Sequence, residues 1–504
     1  MQDLFVSVAK NGRFCRSKRR KCPVLIEGSY ILENKKKASK RLNTPGRALF
    51  AYLISGAVAK GIGILTTPLF TRVLSGDDYG SVALYLSAVG VMSAIISPLA
   101  SGSCIYLASQ KFNADAREVT ASVIPLIFAF CGGICTLLFT FKALFGFNNT
   151  FVVLISLQVF FDSCVLVYSS AERYRYHYGR VAAIAITEAF LSPLLSLLLL
   201  GMLGSSYTVR ILGLLLPPTL LTPMILFFCI SRRRRPVPVG FILRTGAPQI
   251  PVSLLGSLGA HLDRFLIVFL LGSEAIAKYS VAHTLGVGML FLVTALCSAL
   301  IPWTVRRIEH GEFNRVGEIS EAVMVFLAAG SFCLVALSPE IMLLLAPAEY
   351  SEAVYAVMPI ALSAIPAFVS HISSAALLHL GHGRGFLATR IASLLTALVC
   401  GLAFIPSLGY FGAGLAALLS ESCTALISYF SLAKKKSREI LKMKDLRLNF
   451  LLLISVCAVL PLFYASLPLR IFSLIIPSVV GLKVILSSEG YLMEQRAAQK
   501  NIPH

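Results

Sequence analysis

From residue 48 onward, apolar runs of about 20 residues alternate with short polar stretches. An α-helix rises about 1.5 Å per residue, so such a run matches the ~30 Å hydrocarbon core of a bilayer. Fourteen runs fit: 48–73, 80–108, 120–141, 150–170, 181–202, 208–231, 247–271, 278–302, 319–338, 353–379, 386–405, 411–432, 449–467 and 470–486. A very short turn around Leu467 and Pro468 joins the last two. No polar stretch between runs is much above 16 residues, which leaves no room for a soluble catalytic domain. The pattern predicts an all-α integral membrane protein of about 14 transmembrane helices.

Composition agrees. The chain of 504 residues is 57% hydrophobic and 14% charged, with a mean hydropathy of +0.80. Soluble domains carry about 25% charged residues, so this chain cannot cover itself with a solvated surface. Net charge is +21, concentrated in runs such as KNGRFCRSKRRK (10–21), KKKASKR (35–41), RRRR (232–235) and KKKSREILKMK (434–444). These runs flank apolar segments. They therefore read as topology signals and contacts for anionic lipid headgroups, not as a nucleic-acid surface. With the N-terminus placed in the cytoplasm, thirteen Lys/Arg fall in 1–47, five in 232–246 and seven in 433–448, while 74–79, 203–207, 339–352 and 406–410 have none. The asymmetry puts both termini on the cytoplasmic side.

Residues 1–47 form a basic cytoplasmic tail expected to be disordered. Residues 2–9 are too short and too early for a signal peptide. The membrane unit starts near Thr44, so the tail also reads as an over-extended start. Ten of the twelve Cys lie in or at the ends of apolar runs, where they pack as small apolar groups. With no CxxC or Cys/His cluster, neither a metal site nor a disulfide framework is expected.

Two stretches are alike: PLFTRVLSGDDYGSVALYLSAVGVM (68–92) and DRFLIVFLLGSEAIAKYSVAHTLGVGML (263–290), about 196 residues apart. Each ends a helix with Leu near Gly, adds an acidic turn and a Tyr, and begins a helix closing in a VG-rich run. This spacing predicts two six-helix lobes related by a parallel pseudo-repeat, plus two C-terminal helices. The lobes are 48–231 and 247–432, joined by a basic linker at 232–246. A basic loop at 433–448 precedes the two extra helices and short tail of 449–504.

TTPLFTRVLSGDDYGSVALY (66–85), APQIP…HLDRFLIVFLLGSEAIAKYSVA (247–282) and IPSLGYFGAGLAALLSE (405–421) occur in an order that resembles the polysaccharide or O-antigen flippases. These belong to the multidrug/oligosaccharidyl-lipid/polysaccharide (MOP) exporter superfamily. The resemblance covers about residues 48–435. Ala277-Lys278 stands before Tyr279 where the family usually has a Gly. The resemblance implies two lobes around a central cavity in a bacterial inner membrane. It implies alternating-access movement of an undecaprenyl-diphosphate-linked oligosaccharide (an O-antigen, capsule or exopolysaccharide repeat unit) to the outer leaflet. It also implies a polysaccharide polymerase as partner. No covalent chemistry and no cofactor are implied.

Charges inside the runs fit such a cargo. Each would cost roughly 2.5–3.5 kcal/mol in a lipid-facing helix, but a polar cavity wall can hold it. Lys60 lies at the middle of the first run, and Arg264 lies in the seventh, with His261 on the same face. Lys60, Arg264 and His261 are the candidate substrate-binding residues, set to attract the diphosphate. Snorkelling of Lys60 and an inter-helix salt bridge for Asp263 and Arg264 are the structural alternatives. Asp263 pairs with a neighbouring helix or takes a coupling H⁺ or Na⁺. Asp162, Glu188 and Glu421 are either structural acids or proton carriers. Arg72 and Arg210 read as interface anchors, and His283 and His371 as polar helix contacts. Gly61, Gly63, Gly256 and Gly259 read as close-packing or bending points.

A drug or cation antiporter of the same superfamily is the alternative, and it would favour acids over Lys60 and Arg264 in the cavity. A membrane enzyme of polysaccharide assembly is opposed by the short loops. A peptidoglycan-precursor flippase differs only in the sugar carried.

Overall fold

The computed structural model describes residues 45–145, 147–230, 237–310, 312–379, 383–433, 461, 464 and 466–473. The basic tail, the RRRR run, most of the 433–448 loop and nearly all of the last two apolar runs lie outside the described residues. Within them the chain is helical, with no strand. In order come α1 (Pro45–Val73), α2 (Gly76–Ile96), α3 (Gly102–Phe112), α4 (Ala116–Phe145), α5 (Asn149–Tyr174), α6 (Tyr178–Leu203), α7 (Tyr207–Ile230) and α8 (Val239–Gly246). There follow α9 (Ile250–Leu271), α10 (Ser273–Glu309), α11 (Phe313–Leu345), a 3₁₀ stretch (Ala348–Ala356), α12 (Val357–Leu362), α13 (Ala364–His379), α14 (Gly383–Ala433) and α15 (Leu467–Ser473). Ten stretches among the described residues are long and apolar enough to cross a membrane. The protein is a multi-pass membrane protein. Its outward sides are apolar, as lipid contact requires: Met202 and Phe269 are each 81% exposed.

The run 80–108, expected as one span, is two helices. Pro98 cannot continue the amide ladder of α2, and Ser101 caps α3 by accepting the Cys104 N–H at 3.3 Å. Residues 239–246, expected as linker, form α8, whose Ile242 is fully buried in the first core. α14 carries two of the expected runs. It breaks at Gly409 (φ 57°, ψ −131°), a conformation that side chains rarely adopt.

One buried core draws on α2–α5, α7 and α8 around Tyr85, Leu99, Ile127 and Ile155. Two more draw on the second half, around Phe332 and Phe368 and around Tyr279, Tyr350 and Ile360. α2 joins the halves by packing along both α9 and α10. The two look-alike turns meet there. Ser75 caps α2 by accepting the Asp78 N–H, and Asp78 in turn accepts the Tyr207 N–H at 3.1 Å. Ser273 Oγ donates to Asp77 Oδ1 at 2.6 Å. Gly80 passes so close that a Cβ there would sit 2.1 Å from the Ser273 carbonyl oxygen. Nearby, Thr71 Oγ1 donates to the Leu345 carbonyl at 2.8 Å, and Arg72 reaches that of Leu344 at 3.3 Å. Close packing thus falls at Gly80 and at Gly90. It does not fall at Gly61, Gly63, Gly256 or Gly259, where a Cβ would meet open space.

Where α4 begins and α5 ends, the Glu172 carboxylate is fully buried. Its Oε1 accepts from Arg117 at 3.0 and 3.2 Å and from Arg175 at 3.3 Å, and its Oε2 from His177 at 2.9 Å and Arg180 at 3.1 Å. One acid ties α4, α5 and α6 together.

α15 is held by Arg470, which forms a fork on Glu340 of α11 at 2.6 and 2.8 Å and donates to the Ala336 carbonyl at 2.9 Å. Arg470→Met is expected to cost about 1–3 kcal/mol, because Glu340 is half-exposed and recovers solvent when freed. Hydrogen exchange should show faster exchange in α15 alone. Unchanged protection there would mean that packing, not the fork, docks this helix.

Candidate functional site

Four helices turn faces of mixed polar and apolar side chains toward one another. On α1 these are Lys60, Gly63, Thr67 and Phe70; on α2 Tyr79, Ala83, Leu86 and Ser87; on α9 His261 and Arg264; on α10 Ser280, His283, Thr284 and Val287. Recurrence every three or four residues keeps each set on one side of its helix. With Arg210 from the first turn of α7, they line a cavity of about 480 Å³ between the halves of the chain. Its cations are Lys60, Arg210 and Arg264, and no carboxylate is among the described residues that line it.

Arg264 is held in place from behind. Its Nη2 donates to His283 Nδ1 at 2.8 Å and its Nη1 to His261 Nδ1 at 3.2 Å, with the Ala260 carbonyl at 3.4 Å. A guanidinium has no lone pair to offer, so the imidazole nitrogens it meets can only accept; over the His283 ring, Nη2 also lies 3.5 Å from Nε2. Asp263 stands behind the cavity wall. Tyr279 donates its hydroxyl to Oδ2 at 2.5 Å, His283 Nε2 faces the same oxygen at 3.6 Å, and the Arg264 N–H donates to Oδ1 at 2.9 Å. Asp263 and Arg264, neighbours on α9, touch each other only loosely at 3.9 Å. Asp263 serves first as acceptor for Tyr279 and His283, both on α10. His261 sits against Gly90, where a Cβ would lie 2.5 Å from its Nε2. Ser257 donates to the Gly90 carbonyl beside it at 2.9 Å.

Lys60, His261 and Arg264 therefore come together, as their spacing suggests. Arg210 does not behave as an interface anchor. Its guanidinium lies 3.7 Å from the Phe70 ring centroid and bonds to Ser196 Oγ, facing the cavity. An Arg in the first turn of an apolar helix reads as snorkelling toward the interface; the nearby aromatic face on α1 is what turns it inward. His283 is likewise more than a helix contact, since it lines the cavity. The signal available in the sequence was its place, 19 residues after Arg264 in the VG-rich repeat.

Three acids lie elsewhere. Asp162 accepts from Gln158 at 2.8 Å within α5, and Glu188 on α6 is near enough to feel its charge. Glu421 and Arg390 sit on the two legs of α14 and interact electrostatically, with His371 of α13 also facing Arg390. None of Asp162, Glu188 or Glu421 reaches the cavity wall. Among the described residues no group of His, Cys, Asp and Glu has the arrangement of a metal site.

Solved structures share this architecture. The lipid II flippase MurJ in an inward closed conformation aligns with a TM-score of 0.64 at 14% identity, covering 88% of this chain and 99% of that one. An inward-facing multidrug resistance MATE family transporter of the MOP superfamily aligns at 0.55, with 14% identity over 77% of this chain and 96% of that one. A MOP superfamily transporter from Pyrococcus furiosus, described as having a binding pocket of reversed polarity, aligns at 0.54, with 15% identity over 79% and 97%. At such identities the likeness is one of fold. Comparison with curated protein sequences gave no match. The polysaccharide biosynthesis protein family matches residues 46–307, from α1 through the cavity-lining length of α10. That match spans more than half of the sequence, and the chain belongs to the polysaccharide biosynthesis protein family.

Proposed function

We propose that the protein is a transporter, not an enzyme, and that it moves a lipid-linked oligosaccharide through the central cavity. The observation that carries this reading is the sign of the charges in the cavity. Three basic side chains face a space with no carboxylate on its described walls. Hydrated sugar and diphosphate must leave water to cross hydrocarbon, and fixed cations offset that cost where the local dielectric is low. Lys60, Arg210 and Arg264 hold the diphosphate, with His261 positioning Arg264. The cargo is undecaprenyl-diphosphate carrying an O-antigen, capsule or exopolysaccharide repeat unit. It passes from the cytoplasmic to the outer leaflet of a bacterial inner membrane as the two six-helix lobes, 48–231 and 247–432, rock about the cavity. Both termini are cytoplasmic. The basic segments rest on anionic headgroups, a polysaccharide polymerase takes the product, and H⁺ or Na⁺ drives the cycle. The MurJ-like fold, together with a family named for polysaccharide biosynthesis, supports the substrate class.

The test is flipping of a fluorescent undecaprenyl-diphosphate oligosaccharide in proteoliposomes. Wild type should flip it. Arg264→Ala, at equal incorporation, should lose about 1.5–3 kcal/mol of charged hydrogen bonding, or roughly 10- to 150-fold in transport at limiting substrate. Efflux of an organic cation by wild type, with no flipping across several sugars, would overturn the proposal in favour of an antiporter.

A further inference from the structure

His283 is tied to Arg264 in a way that makes its proton depend on what the cavity holds. The guanidinium lies over its ring, with Nη2 2.8 Å from Nδ1 and 3.5 Å from Nε2, and Nε2 lies 3.6 Å from Asp263 Oδ2. The groups facing it are Asp263, Arg264 and His261 on α9, Lys60 on α1, and Tyr279 on its own helix, whose hydroxyl also bonds Asp263. A guanidinium this close opposes a second positive charge on the ring. Arg264 has donors to spare. Two imidazoles and one carbonyl take three of its five N–H groups, leaving the others without a protein acceptor among the described residues.

An anion entering the cavity competes for this guanidinium. Drawn toward two phosphate oxygens, Arg264 leaves Nδ1 bare. The imidazole then has the Asp263 carboxylate on one side and the new anion on the other, and both favour a positive ring.

We propose that His283 is a proton-binding site linked to anion binding: the bound phosphate group draws Arg264 forward, and His283 takes one proton from the solution at Nδ1. The imidazolium donates Nε2–H to Asp263 and Nδ1–H to the space Arg264 has left, or to the anion itself. One N–H bond forms as one O–H bond of a solvent hydronium ion or buffer acid breaks, and water or the buffer base is released. Reciprocity fixes the sign. If the anion raises the proton affinity of His283, a proton on His283 raises the affinity for the anion, so binding strengthens as pH falls through the imidazole range of the occupied state. The inference rests on the cavity reading above and names the regulation of that site.

The experiment is calorimetric titration of the full chain in detergent with farnesyl diphosphate, at about pH 6.5 where an imidazole titrates. It is run in two buffers of different ionisation enthalpy, which gives protons taken up per anion bound. Wild type should take up nearly one proton more than His283→Asn, a variant that keeps an acceptor near the Nδ1 position and cannot be charged. His283→Gln serves as a second uncharged variant if the first fails to fold. Equal proton uptake by wild type and the folded variant, with binding intact, would overturn the linkage and leave the cavity reading standing. Absence of binding by wild type would overturn both.

Discussion

Glu172→Ala is expected to cost the folded protein about 3–5 kcal/mol, the range for removing one partner from a buried ion pair. The loss exceeds that of an ordinary salt bridge because the acid is fully buried and is shared by Arg117, Arg175, His177 and Arg180. Without it, Arg117, with 10% of its side chain exposed, is left with an uncompensated charge at the junction of α4, α5 and α6. Arg180 suffers less, since its side chain is 57% exposed and water takes over. Glu172→Gln should fall between the two, because an amide keeps an acceptor but loses the charge. Thermal unfolding in detergent should show both lowered midpoints in that order. A wild-type midpoint for Glu172→Ala would mean that the basic cluster finds its anion elsewhere, and the junction would need another explanation.

The second large effect is expected at Gly80. A methyl group there would lie 2.1 Å from the Ser273 carbonyl oxygen and 3.0 Å from Ile276 Cγ2. Backbone cannot rotate aside as a side chain would. The cost therefore sits at or above the top of the overpacking range, about 3 kcal/mol, unless α2 and α10 separate. Separation relieves it, at the cost of the Ser273–Asp77 hydrogen bond and of the packing of Tyr79, Ala83 and Leu84 against the second-half core, while the first-half core stays intact. Gly80→Ala should therefore fold and hold the two turns apart. In a cysteine-less background, an Asp77→Cys/Ser273→Cys pair should cross-link readily, and Gly80→Ala should slow that cross-link at least tenfold. Cross-linking at an unchanged rate would show that the strain is absorbed within one half.

Much of the architecture was legible because a bilayer dictates helix length. The seven runs from 120 to 338 coincide with membrane-length helices, and the turn at 406–410 is where Gly409 breaks α14. The break at 97–101 was hidden because Pro98, Leu99 and Ala100 are apolar and merge two runs into one. The cavity residues Lys60, His261 and Arg264 stood out since a charge or imidazole in an apolar run must face something polar. Arg210 and His283 were harder. Their direction depends on a ring from α1 and a guanidinium from α9, contacts between elements that no local spacing encodes. The glycines mislead for the same reason. Gly61 and Gly63 sit beside Lys60 and look like packing points, yet a Cβ there would meet open space, while close approaches fall at other glycines, Gly80 and Gly90 among them.

The contacts that join the halves carry a further consequence, for the order of synthesis. Asp77 and Ser273 are 196 residues apart, and Thr71 and Leu345 are 274 apart. At a ribosome's pace of about 5–20 residues per second, α1 and α2 wait on the order of tens of seconds for their partners. During that interval the first-half core can assemble, while Lys60 has none of the second-half cavity wall to face. The nascent chain must keep this lysine at a wet boundary, whether the insertion machinery or the membrane surface, until α9 and α10 arrive. Slowing elongation between codons 100 and 270 should therefore lower the yield of wild type more than that of Lys60→Met. The cationic group that equips the finished cavity is a burden to the half-made protein.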